Sequence, residues 1–145
     1  MIRLRELILA PALLLAATSA LPAQTTEQEV DEAAAVTAVF EWLAVVDAGD
    51  YAGSWDAGAA AFQEAVTRED WVTAVTNARS SFEPFGEREQ IASRKMTNPE
   101  NAPPGEYALM QFRTQVSGDR TVIETVVPMK EDGAWKVSGY FVKSE

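Results

Sequence analysis

The sequence predicts an α+β domain in which three helices precede, and pack on, a four-stranded antiparallel sheet. Two observations predict it. Apolar residues recur every three or four positions as far as Phe82, and every second position after Gly86. Thr26 and Thr67 each stand three residues before an acid, the spacing of a helix start, and Gly118-Asp119 and Gly133 punctuate the later part as hairpin turns do.

The elements follow in order. Arg3 and Arg5 head the chain, residues 7–21 are almost wholly apolar, and Thr18, Ser19, Ala20 and Ala23 are small. This is the pattern of a secretory signal peptide cut after Ala20 or Ala23. Its apolar run of about 15 residues falls short of the roughly 18–20 that a membrane-spanning helix needs. Residues 1–23 are therefore expected to be a signal peptide, the only membrane contact, and 24–145 one domain, periplasmic or secreted. Thr26 and Glu29 make a capping box, Val36, Val39, Phe40, Leu43 and Val46 form the stripe of a first helix, and Gly49 ends it. Asp50 caps a second helix through Tyr51, Ser54 and Trp55 that runs on to Val66. Thr67 opens a third, with Trp71, Val75, Ala78 and Phe82 on one face.

The first strand spans residues 87–96 around Ile91, and the proline-bearing stretch 98–105 is a loop. In the second strand Ala108, Met110, Phe112, Thr114 and Val116 share a face. A two-residue turn at Gly118-Asp119 puts Arg113 opposite Glu124 and Met110 opposite Val127. The third strand then turns Ile123, Thr125, Val127 and Met129 inward, leaving Tyr107, Leu109, Val122 and Val126 as a mixed apolar strip on the far face, a candidate homodimer surface. A three-residue loop with Gly133 in a left-handed bulge puts Trp135, Val137 and Phe141 of the fourth strand on the core side.

Composition narrows the chemistry. The chain has 145 residues, 12 basic and 22 acidic, with no His and no Cys. Removal of residues 1–23 leaves 10 basic and 21 acidic, a net charge of −11. Disulfides, thiolate metal sites, cysteine nucleophiles and histidine bases are excluded, and an acidic surface opposes nucleic-acid binding. No motif points to a metal or a cofactor.

Two groups of polar residues stand out. Asp47 lies in the last turn of the first helix, where a carboxylate opposes the helix dipole and calls for a cation. Arg79, Arg88 and Arg94 are its candidate partners, and Tyr51 is near in sequence. These residues either line a pocket between helices and sheet, for a small ligand or a partner protein, or form an ion pair that fixes the packing. The register argued above places Arg113, Glu124 and Tyr140 side by side on the far face, either as a base with a donor or as a cross-strand ion pair. The four tryptophans, Trp42, Trp55, Trp71 and Trp135, read as core.

The run Trp42-Leu43, Asp47-x-Gly49-x-Tyr51-x-x-Ser54-Trp55 resembles the opening signature of domain-of-unknown-function family 4019. Trp71, Arg79, Gly86, Arg88 and Arg94 fit it too, as do Pro104-Gly105-Glu106-Tyr107, Phe112-x-Thr114, Glu124 and Gly133-x-Trp135-x-Val137-x-Gly139-Tyr140-Phe141. The likeness covers about residues 30–143. It implies a small exported bacterial protein with a cystatin-like roll, akin to nuclear transport factor 2, often with a pocket between helices and a curved sheet and often dimeric through that sheet. It supplies no catalytic residues. Three functions follow as expectations: a non-enzymatic binding module, an isomerase- or dehydratase-like enzyme with a carboxylate base, or an envelope assembly protein acting through the sheet's outer face.

Overall fold

A computed structural model describes residues 25–145; the expected signal peptide and its cut lie outside them. Four helices, not three, precede the sheet: α1 (Glu27–Asp47), α2 (Tyr51–Asp56), α3 (Ala60–Ala65) and α4 (Arg68–Arg79). The expected second helix divides at Gly58, because Ala57 N–H and Gly58 N–H close α2 on Gly53 and Trp55, and the Ala59 N–H turns away to the Val137 carbonyl at 2.8 Å. None of the described helices is long and apolar enough to cross a membrane.

Helix starts follow the local chemistry. Thr26 and Glu29 form the reciprocal capping box, and the Thr67 hydroxyl accepts from Asp70 N–H at 3.1 Å. Gly49 takes a φ of +78° just past α1. Along α1, Ala35, Val39, Trp42, Leu43 and Val46 are buried, while Phe40 packs edge-on against Phe112 at 5.3 Å and stays partly exposed. On α4, Trp71, Val75 and Arg79 are buried. Ala78 is exposed, and the helix stops before Phe82. Ser54 joins three elements: its carbonyl accepts from the Trp42 indole and its hydroxyl from the Trp71 indole, each at 2.9 Å.

The strands β1 (Arg88–Thr97), β2 (Glu106–Val116), β3 (Arg120–Glu131) and β4 (Ala134–Ser144) form one antiparallel sheet in the order β1-β2-β3-β4. Ala108, Met110, Phe112, Thr114 and Val116 of β2 are buried against the helices, as their alternation predicts. The register of β3 departs from expectation. Three residues, Ser117 to Asp119, form the turn, with Gly118 and Asp119 both at positive φ, so Arg113 faces Ile123 and Met110 faces Val126. A shift of one residue exchanges the faces of a strand. Val122, Glu124 and Val126 therefore point to the helices, and Thr125 and Val127 point away. The far-face grouping of Arg113, Glu124 and Tyr140 does not form, and Val122 and Val126 leave the expected outer strip. On that outer face, Tyr107 is covered by the 98–105 loop and donates its hydroxyl to the Pro103 carbonyl at 2.8 Å.

The second hairpin is also corrected. Asp132 and Gly133, both at positive φ, make a two-residue turn with Glu131 paired to Ala134. The phase change that the apolar pattern demands lies further along, at a bulge where Val127 pairs Gly139 and Pro128 pairs Val137. Ser138, the extra residue, donates its hydroxyl to the Val127 carbonyl at 2.8 Å. Trp135 and Val137 thus face inward before the bulge and Tyr140 after it, and Phe141 is turned out, 64% exposed.

Candidate functional site

Where α1, α4 and the sheet meet, the inward phase of β3 carries a carboxylate, Glu124, into the core. It is fully buried. Arg88, at the start of β1, reaches it with Nε at 2.7 Å and Nη2 at 3.2 Å. The Thr114 hydroxyl of β2 donates to Oε1 at 2.5 Å, and the Tyr140 hydroxyl donates to Oε2. Arg79, the last residue of α4 and also fully buried, donates from Nη1 to the Tyr140 oxygen at 2.9 Å. Its Nη1 also stands 3.6 Å from Glu124.

The remaining donors of both arginines go to acids at the rim. Arg79 Nη2 meets Asp47 Oδ1 at 2.7 Å and its Nε meets Glu83 at 3.1 Å, while the Phe85 ring covers the guanidinium at 3.6 Å. Arg88 grips the same Asp47 through two nitrogens, at 2.5 and 2.9 Å. The Tyr51 hydroxyl joins through Glu83 at 3.1 Å, not through Asp47. Two guanidinium ions thus share Glu124, Asp47 and Glu83. Among the described residues no buried side-chain polar atom lacks a partner.

Electrostatics follow from this geometry. Burial alone would raise the pKa of Asp47, but the hydrogen bonds and charges of Arg88 and Arg79 outweigh it and hold the carboxyl below its usual range. Burial works against the charge of Arg79 and Arg88 as well, yet the surrounding acids raise both above an ordinary arginine. Burial and the neighbouring Glu124 push the Tyr140 phenol far up, so it stays a donor. Burial, then Glu83, raises Tyr51.

Of the residues singled out from the sequence, the structure thus brings together Asp47, Arg79 and Arg88, with Tyr51 one bond further out. It adds Glu124 and Tyr140 from the group expected on the opposite face. Arg94 stays outside. It lies on the outer face of β1 with Nη2 3.5 Å from the Met96 sulfur. Arg113 is also outside, paired with Glu145 at 2.9 Å and Glu89 at 3.4 Å. Among the described residues no group of three or more acids is placed to hold a metal ion.

A second cluster ties the other end of α1 to the sheet. Asp31 accepts from Lys95 of β1 and Lys130 of β3, each at 2.8 Å, and from the Trp135 indole at 3.0 Å. Hydrogen bonds from Lys130 and then Lys95 hold its pKa below the usual carboxylate range. The signal for it was present in the sequence, since Asp31 precedes Ala35 and Val39 at helical spacing on the buried face.

Cavities lie beside the charged junction. A concavity of about 200 Å³ between α1 and β4 is walled by Trp42, Trp135, Glu41 and Lys136, with Ala57 and Val137 behind. A groove of about 330 Å³ runs between α4 and β4, and neither has Asp47, Arg79 or Glu124 in its wall.

The fold and the junction define an α+β domain with one layer of helices locked to an antiparallel sheet by a buried arginine–carboxylate network. The family model for DUF4019, proteins of unknown function, matches residues 38–140, and the chain belongs to that family. The match takes in Asp47, Arg79, Arg88, Glu124 and Tyr140 but not Asp31. Neither a curated protein nor a solved structure matches the chain.

Proposed function

We propose that this chain is an exported, non-enzymatic module of the bacterial envelope that binds a small charged amphipathic ligand between α1 and β4. The observation that carries the reading is a contrast of two places. Both oxygens of Glu124 are taken up by Arg88, Thr114 and Tyr140, leaving no lone pair aimed at a substrate. The α1–β4 concavity instead offers two indole walls beside an acid, Glu41, and a base, Lys136. Apolar walls with a few polar groups are what small-molecule sites present. The volume of about 200 Å³ limits the occupant to something smaller than a drug-sized ligand.

Export rests on the basic head, apolar run and small residues of 1–23, and places the protein in the periplasm or outside the cell. The helices-then-sheet order and the family likeness support a cystatin-like roll of the kind found in nuclear transport factor 2. Asp47 and Arg79 act here as framework rather than as a pocket lining, and Arg88, which borders a polar depression of about 220 Å³ with Glu87, Glu89, Arg113 and Gln115, has its guanidinium taken up by Asp47 and Glu124.

Trp42 and Trp135 make the test direct. Free amino acids, short aliphatic and aromatic carboxylates, and the matching amines are titrated while tryptophan fluorescence and Tm are followed. Saturable change with one charge class, weakened at least tenfold by Lys136→Glu or by Glu41→Lys, is expected. No response to any of these probes at millimolar concentration overturns the reading.

A further inference from the structure

β4 forms one edge of the sheet, and only part of that edge is covered. The Ala59 N–H caps the outward Val137 carbonyl at 2.8 Å. Beyond the bulge at Ser138 the sense is set by the end of the strand, where Glu145 N–H turns inward to the Thr121 carbonyl at 3.4 Å. Hydrogen-bonding direction alternates along an antiparallel strand, so Tyr140, Val142 and Ser144 turn their backbone N–H and C=O outward. Among the described residues no backbone hydrogen bond beyond the β3–β4 ladder reaches these three. An open ladder edge is a template for another strand.

The surroundings of this edge match it. The apolar groove between α4 and β4 is lined by Trp71, Val75, Ala78, Phe141 and Val142. Phe141, on the outer face, is the most exposed large apolar side chain of the described residues. Lys143, next on that face, makes no ion pair among them, although arginines and lysines elsewhere in the domain largely do.

We propose that this edge pairs antiparallel with β4 of a second copy of the chain, about a two-fold axis through Val142. One operation then accounts for every unmatched feature. Val142 pairs with its own counterpart, Tyr140 pairs with Ser144 of the copy, and the free backbone groups of all three enter a ladder. The inward side chains of the copy's Val142 and Ser144 lie along the groove beneath α4. On the outer face Phe141 and the copy's Lys143 become a non-hydrogen-bonded pair. Side chains approach most closely in such a pair, and the unpaired ammonium meets the exposed ring twice over. The pairing needs only residues 139–145, so the capped stretch at Val137 does not obstruct it. The seam is self-complementary and sets no two acids opposite each other, since Glu145 faces Gly139 of the copy, whereas the strongly acidic remainder of the surface keeps other contacts between copies unfavourable.

Sedimentation velocity of the purified protein across micromolar to millimolar concentration tests this, with circular dichroism as the check on folding. The wild type is expected to show a concentration-dependent dimer. Val142→Pro removes an N–H that faces away from β3, so it is expected to keep the fold and leave a monomer. Phe141→Lys, at an exposed position, sets two lysines against each other across the seam and is expected to weaken the dimer at least tenfold. A wild type monomeric over the whole range, or a dimer unchanged by Phe141→Lys, overturns the proposal. A dimer that persists in folded Val142→Pro does so too.

Discussion

Both ends of α1 are tied to the sheet by a carboxylate that receives two cations, and the two ties differ in kind. At the C-terminal end Asp47 meets Arg79 and Arg88, whose side chains are 0% and 7% exposed, and behind them lies Glu124, at 0%. At the N-terminal end Asp31 meets Lys95 and Lys130, which are 37% and 29% exposed. A guanidinium presents its donors as a planar fork and can serve several acceptors at once, whereas an ammonium is a point charge that stays hydrated. The first tie therefore works as a framework reaching from α1 and α4 into β1, β2, β3 and β4. The second is a local anchor screened by water and salt. The number of cations on the carboxylate does not distinguish them; burial does, since a charge left unpaired inside costs far more than one left unpaired in water.

The contrast breaks most sharply at Glu124. Glu124→Ala leaves two buried guanidinium ions facing an empty position and is expected to cost about 3–5 kcal/mol in urea unfolding. A loss under about 1 kcal/mol would place the network on a par with a surface pair.

Arg79→Lys comes next. The ammonium cannot reach Asp47, Glu83 and Tyr140 together, and the expected cost is about 2–3 kcal/mol, with the fold retained. Equal stability of the lysine variant would mean that charge rather than the fork matters there.

Proton linkage sharpens the comparison further. The Asp47 pKa is lowered by folding, so its contribution is complete above the unfolded value near 4 and is lost as pH falls through the folded value. Stability is expected to fall below about pH 4, less steeply in Asp47→Asn. The Tyr140 pKa is raised, so its contribution holds below about 10 and is lost as pH rises past it. Tyr140→Phe is expected to flatten the alkaline limb of the pH–stability curve.

The smallest effect belongs to Asp31→Ala, which is expected to move Tm by about 2 °C or less and to matter less still at high salt.

Much of the fold was legible because it is written locally. The Thr26–Glu29 and Thr67–Asp70 spacings fix two helix starts, and the alternation of Ala108 to Val116 fixes a face. The register was not legible. β3 carries Val122 and Ile123, then Val126 and Val127, in adjacent pairs, so apolarity marks both of its faces and gives no phase. The phase is set instead by two residues at positive φ, Gly118 and Asp119, which with Ser117 lengthen the turn by one. The same slip concealed the site. Asp47, Arg79 and Arg88 could be named from a helix end that wanted a cation, but Glu124 and Tyr140 could join them only once β3 was turned over and the Ser138 bulge had rotated β4. Arg94 and Arg113 carry the same charge and lie on the other face of the sheet, a difference no count of charges reveals.

The central claim is that Arg88 of β1 and Glu124 of β3 act as one buried unit within the sheet, to which Asp47 of α1 and Arg79 of α4 are fastened. A double-mutant cycle with Arg88→Met, Glu124→Gln and the pair together, read by urea unfolding, tests it most directly. The account predicts a coupling of about 1.5–3 kcal/mol, with the double variant more stable than the summed single losses allow. Additive losses, with a coupling within about 0.5 kcal/mol of zero, would contradict it.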